Sequence, residues 1–192
     1  MAIQLSKGQR IDLTKNDPTL QKMVIGLGWD VKQFDGGQDY DIDASAFILN
    51  ANGKCRSELD FIFYNNLQSA DGSVIHTGDN RTGEGDGDDE QIKIDLSKIP
   101  QDVQRIAITV TIHDADARHQ NFGQISNAFV RLVNEDTGVE VLHYDLGEDF
   151  SIETAVIFCE IYKHGNDWKF NAVGSGYQGG LQSLVHAYGL DA

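Results

Sequence analysis

RIAITVTIHD, residues 105–114, sets Ile106, Ile108, Val110 and Ile112 on one face of an extended chain, with Thr109 and Thr111 on the other. Side chains of a strand point alternately to opposite faces, and β-branched residues fit that pleated surface, so the stretch reads as a half-buried strand. Upstream, QIKIDL (91–96) alternates in the same way, and MVIGLGWD (23–30) is a strand ending at an acid. In YDIDASAFILN (40–50), Ile42, Ala44, Ala46 and Ile48 alternate with Asp41, Asp43, Ser45, Phe47 and Leu49. IQLSKGQRIDL (3–13) gives two short extended pieces around a Lys7-Gly8 turn, and LDFIFY (59–64) a buried strand. Downstream, FVRLV and VEVLHYDL flank Glu135-Asp136-Thr137-Gly138, and AVIFCEIY and WKFNAV flank His164-Gly165-Asn166-Asp167, as two hairpins. Only the tail has helical spacing: Leu181, Leu184, Val185 and Tyr188, with Gly189 where a helix would stop. Many short strands with little helix predict an all-β fold, an antiparallel β-sandwich with a short C-terminal helix.

GDNRTGEGDGDDE, residues 78–90, puts Asp79, Glu84, Asp86, Asp88, Asp89 and Glu90 into one loop, relieved by Arg81 alone. Carboxylates packed this closely repel unless a cation sits among them, and the interleaved glycines, Gly83 among them, let backbone carbonyls turn inward as further ligands. Oxygen donors without Cys or His favour calcium or magnesium over zinc. The EF-hand pattern fails, because Arg81, Gly83 and Glu84 stand at its third, fifth and sixth positions and the flanks are strand-like. The bland alternative is a solvated acidic loop, against which the glycine at every second position from Gly83 to Gly87 argues. Asp41 and Asp43 share one face at a strand entrance, and Asp30 ends another strand. All these acids are expected at strand ends on one end of the sandwich, where loops form ligand sites.

The chain has 192 residues, enough for one domain (1–192) with a good core, and 15 Lys+Arg against 30 Asp+Glu give a net charge of −15. Direct binding to nucleic acid or to an anionic membrane surface is disfavoured by that charge; metals and basic proteins are better partners. The opening MAIQLSKGQR lacks a signal-peptide core, and no stretch reaches the roughly 20 apolar residues of a membrane span, so a cytoplasmic protein is expected. Cys55 and Cys159 share no metal or redox spacing and read as idle thiols.

Catalytic motifs are weak. GSGYQG (174–179) is formally GxGxxG, but only 13 residues follow it, too few for the second strand and acid of a dinucleotide fold. GxSxG is absent, and six scattered histidines show no HExxH spacing. A non-enzymatic protein is expected. The alternative is a metal-dependent, phosphoesterase-like enzyme using the carboxylate cluster, with His113 or His76 as base.

LSKGQ, GLGWD (26–30), DIDASAF (41–47), FIFYNN (61–66), HTGDNRTGEGDGDDE (76–90), NFGQ (121–124), YDL (144–146) and WKFNAVGSGY (168–177) resemble, in order along nearly the whole chain, the bacterial TerD family. The resemblance implies a calcium-binding β-sandwich of the tellurite-resistance operon, linked to chemical stress, phage inhibition and colicin tolerance. It also implies a cytoplasmic protein gathering with other Ter proteins in an inner-membrane-associated complex. Two calcium ions are implied, held by Asp41 and Asp43 with Asp79, Asn80 and the loop through Glu90. The full candidate ligand set is Asp30, Asp41, Asp43, Asp79, Asn80, Gly83, Glu84, Asp86, Asp88, Asp89 and Glu90. Ile42, where the family usually has Leu, and Cys159-Glu160-Ile161, where it commonly has Gly-Glu-Leu, are departures away from that set.

Overall fold

The structure, a computed structural model, describes residues 1–31, 40–78, 87–147 and 150–191. In chain order the strands are β1 (Ile3–Leu5), β2 (Arg10–Asp12), β3 (Lys22–Val31), β4 (Ile42–Asn50), β5 (Phe61–Ile62), β6 (Val74–His76), β7 (Glu90–Asp95), β8 (Val103–Ile112), β9 (Ile125–Asn134), β10 (Glu140–Asp145), β11 (Ala155–His164) and β12 (Asp167–Tyr177). Helices are few: α1 (Leu13–Asn16), α2 (Ala115–Arg118) and α3 (Gly180–Ala187). The strands form two six-stranded sheets, one ordered β1-β10-β9-β3-β7-β6 and the other β2-β12-β11-β8-β4-β5. All pairings are antiparallel except β1, which lies parallel to β10. The expected stretch LDFIFY supplies only the two residues of β5, preceded by a 3-10 turn over Glu58–Asp60.

β8 sits between β4 and β11, and its period-2 pattern decides the layering. Ile106, Ile108, Val110 and Ile112 face the first sheet; Met23, Ile25, Leu27 and Tyr144 from that sheet, with Phe158 and Phe170 from the second, complete the core. Its other face is buried too: Thr109 is 0% exposed, because α3 lies across that side. There Leu184, Val185 and Tyr188 pack on Phe47, Leu49, Ala107 and Ile157, and Phe47 meets the rings of Phe61 and Tyr188 at 4.6 Å. The second sheet is therefore covered on both faces, and α3 builds a second small core.

Register places one set of strand ends together. Val31 pairs with Ile125, Ile42 with Ile112, Leu27 with Glu90, Asp145 with Phe129, and Ala155 with both Thr111 and Tyr177. The acid-bearing stretches Asp41–Asp43 and Asp88–Glu90 thus lie at the same end as Asp30, Asp114 and Asp145.

A bulge where β11 shifts between Ile157 and Cys159 is accommodated opposite by Gly174, at φ +62°. A Cβ there would lie 2.3 Å from Oη of the buried Tyr144, whose ring cannot swing aside. Gly174→Ala should therefore cost about 2–4 kcal/mol, combining a left-handed backbone with overpacking. Urea denaturation measures it, and a loss under about 1 kcal/mol would show that the bulge relaxes freely.

Candidate functional site at the acidic end

Glu90 ties the two acidic stretches together. Alternation along β7 turns Glu90, Ile92 and Ile94 inward, so the Glu90 side chain enters the space between the sheets. Its Oε2 accepts the Ala44 N–H of β4 at 2.6 Å and lies 3.3 Å from His76 Nε2 at the end of β6. His76 Nε2 is also 3.1 Å from the Ala44 carbonyl, and Nδ1 accepts the Gly78 N–H at 3.0 Å. An accepting ring nitrogen carries no proton, so the arrangement describes the neutral Nε2–H tautomer. Burial draws the His76 pKa down, but the hydrogen bond and charge of Glu90, aided by Ala44 and Asp43, outweigh it and set the pKa above the usual histidine value. The Gly78 N–H, which would oppose a proton on Nδ1, works against that rise. With both nitrogens engaged, His76 is not placed to act as a general base. His113 is exposed, with Nε2 3.3 Å from Asp114 Oδ2.

Asp88 goes the other way, onto the outer face of the first sheet. Arg131 grips it bidentately, Nε to Oδ1 at 2.7 Å and Nη2 to Oδ2 at 2.9 Å, and Gln91 Nε2 donates to Oδ2 at 2.8 Å. Gly26 makes room, since a Cβ there would come within 2.2 Å of Oδ2. Both Asp88 oxygens are thereby committed to protein donors.

Asp89 Oδ2 accepts the Trp29 N–H at 2.8 Å, where β3 shifts register against β9 between Gly28 and Asp30. Asp30 Oδ2 accepts from Asn127 Nδ2 at 2.8 Å. Asp30, Asp89 and Asp145 line, with Trp29 and Asn127, one cleft of about 650 Å³. Burial lifts the Asp89 carboxyl above the usual aspartate value; the Trp29 bond opposes this, and the charges of Asp30 and Asp88 add to it. A raised folded pKa means that stability falls as pH rises through the aspartate range, so ionised Asp89 costs folding free energy at neutral pH.

Asp41 and Asp43 do share a face, but Ile42 and Ala44 occupy the inner one, so that face is the outside of the second sheet, continuous with Phe47 and Leu49. Asp43 stands in register with Thr111. Asp41 Oδ1 is buried and has no hydrogen-bond partner among the described residues, while the Asp41 carbonyl accepts the His113 N–H at 2.8 Å. Asp79, Asn80, Gly83, Glu84 and Asp86 lie outside the described residues.

Residues 1–188 match the TerD domain. The chain belongs to the TerD family. It is 59% identical to general stress protein 16U of Bacillus subtilis (strain 168), over 99% of this chain and 98% of that one. It is 60% identical to tellurium resistance protein TerD of Alcaligenes sp, over the whole of both chains. Among solved structures, the protein of unknown function SAV2460 superposes with a TM-score of 0.72 at 22% identity, over 90% of this chain and 99% of that one. This last likeness confirms the β-sandwich.

An orphaned carboxylate oxygen on Asp41 and an Asp89 that ionises at a cost both suit a hard cation supplied with oxygen ligands. Among the described residues, however, no three acid or histidine side chains close around a single point. Arg131, Asn127 and Asp145 were not anticipated from sequence. Arg131 is a lone cation in an alternating strand, and only its pairing with a residue 43 positions away reveals what it does. No helix among the described residues is long and apolar enough to cross a membrane.

Proposed function

We propose that this TerD-family protein is a calcium-binding, non-enzymatic stress-response protein that works by binding partners from its acidic end. The observation that carries this reading is the cleft lined by Asp30, Asp89 and Asp145, with Asp89 ionised at a cost that a bound cation would remove. Asp30 and Asp89, with the unpartnered oxygen of Asp41, would supply ligands, and loop 79–86 the remainder. Calcium suits such mixed carboxylate and carbonyl donors better than magnesium, which demands a stricter octahedron. When bound, the ion supplies positive charge that cancels mutual repulsion among the acids. Two ions would add +4 against the formal −15, changing the face a partner meets. The relatives' names place tellurium resistance and general stress in the family, and we extend that role to this chain, acting in the cytoplasm beside other Ter proteins.

Calorimetry and thermal melts in calcium and in chelator test the reading. Calcium at about 100 times Kd should stabilise the fold by roughly 2.7 kcal/mol per independent site. Absence of both binding heat and a melting shift would overturn it.

A further inference from the structure

Eight large apolar side chains stand exposed among the described residues, and three of them, Leu59, Tyr64 and Leu67, fall close together around the edge strand β5. Leu59 is 62% exposed and Leu67 45%. The segment bearing them is tied down by its own contacts. Phe61 stacks on Phe63 at 4.2 Å, Phe63 meets Tyr64 edge-on at 5.1 Å, and Asn66 Nδ2 donates to the Phe61 carbonyl at 2.8 Å. A fixed apolar ridge loses little entropy on binding, which distinguishes it from a floppy loop.

Tyr64 also forms one wall of a cleft of about 360 Å³ between α2 and the start of α3, lined by Asp43, Asp114 and Asp116. Of the basic groups, His113 also lines this cleft with its Nε2 3.3 Å from Asp114 Oδ2, Arg118 lies at the end of α2, and Arg56, three residues before Leu59, binds Asp60 at 2.8 Å and Asp102 at 2.9 Å. Apolar ridge and acidic cleft thus adjoin through one aromatic ring.

We infer that ridge and cleft together are a docking surface for a basic segment of a partner protein, its apolar side chains on Leu59, Tyr64 and Leu67 and a lysine or arginine in the acidic cleft. Charge decides the occupant. A second copy of this chain, or an anionic membrane, would bring like charge to a protein of net −15, whereas a cationic segment gains from it. The ridge contains no proposed calcium ligand and the cleft contains one candidate, Asp43, so titration both in calcium and in chelator separates this inference from the calcium reading.

The test is NMR titration of the full chain, in calcium and in chelator, with a short helical Leu/Lys peptide and with an oligolysine of equal charge. Resonances of residues 59–67, 113–117 and 179–182 should shift, with oligolysine binding about tenfold more weakly or worse. Leu59→Ser with Leu67→Ser should weaken the Leu/Lys peptide by about tenfold, the equivalent of ~1.4 kcal/mol. Both leucines are exposed, so an unchanged melting temperature will show that the double variant is folded. Asp114→Asn with Asp116→Asn should reduce the salt dependence of binding. Equal affinity for oligolysine, shifts spread over all acidic loops, or indifference to the leucine substitutions would overturn the inference. So would ridge-dependent binding to zwitterionic vesicles, which would make the ridge a lipid contact.

Discussion

Glu90→Ala is expected to lower the unfolding free energy by about 3–5 kcal/mol in chelator, the range for removing one partner from a buried, hydrogen-bonded charge. The glutamate side chain is wholly buried, and its Oε2 satisfies the Ala44 N–H. Alanine would leave that donor unpaired and His76 Nε2 with the Ala44 carbonyl alone. It would also leave a void between the sheets. Glu90→Gln retains an acceptor for Ala44 and should cost only about 1–2 kcal/mol. Urea denaturation of both variants separates the contributions. If alanine and glutamine cost the same, charge rather than the bond to Ala44 is what matters.

How much of this was legible in the sequence depends on the distance over which a residue acts. Period-2 alternation is local, and it placed β8, β7, β4 and the two hairpins ending at His164–Asp167 and Glu135–Gly138, because each strand's apolar face is written along itself. The tail helix was legible for the same reason, with Gly189 at φ +83° beyond its end. Which sheet a strand joins is not local: β1 and β2 are separated by one turn yet lie at the edges of different sheets. Sequence also left Thr109 and Thr111 as a polar face, because nothing near them says that α3 returns to cover it. At the site, clustering of acids was visible but direction was not. Asp88, Asp89 and Glu90 are consecutive, yet one lies on Arg131, one on the Trp29 N–H and one between the sheets. Arg131 and Ala44, which decide two of those directions, are more than 40 residues away. Glu90, at the end of the loop, reaches the Ala44 N–H beside Asp43, whereas the alternation of β4 puts Asp41 and Asp43 on the outer face.

That divergence among neighbours gives substitutions at adjacent positions opposite expected signs. Asp89→Asn keeps an acceptor for the Trp29 N–H and removes a charge that burial, Asp30 and Asp88 all disfavour, so the calcium-free protein should become more stable. The same change should weaken calcium binding by about a hundredfold, roughly 2.7 kcal/mol, since it removes a proposed ligand. Asp88→Asn should do the reverse. It breaks the bidentate grip of Arg131, a pair with Asp88 only 2% exposed but Arg131 33% exposed, so solvent screening limits the loss to about 1–2 kcal/mol. Calcium affinity should then stay within about threefold of the parent, because both Asp88 oxygens already serve protein donors. Melting curves in chelator and calorimetric titrations on the two variants give four numbers. If Asp88→Asn abolished binding while Asp89→Asn spared it, the carboxylate would have to leave Arg131 when calcium binds, and the cleft of Asp30, Asp89 and Asp145 would lose its role.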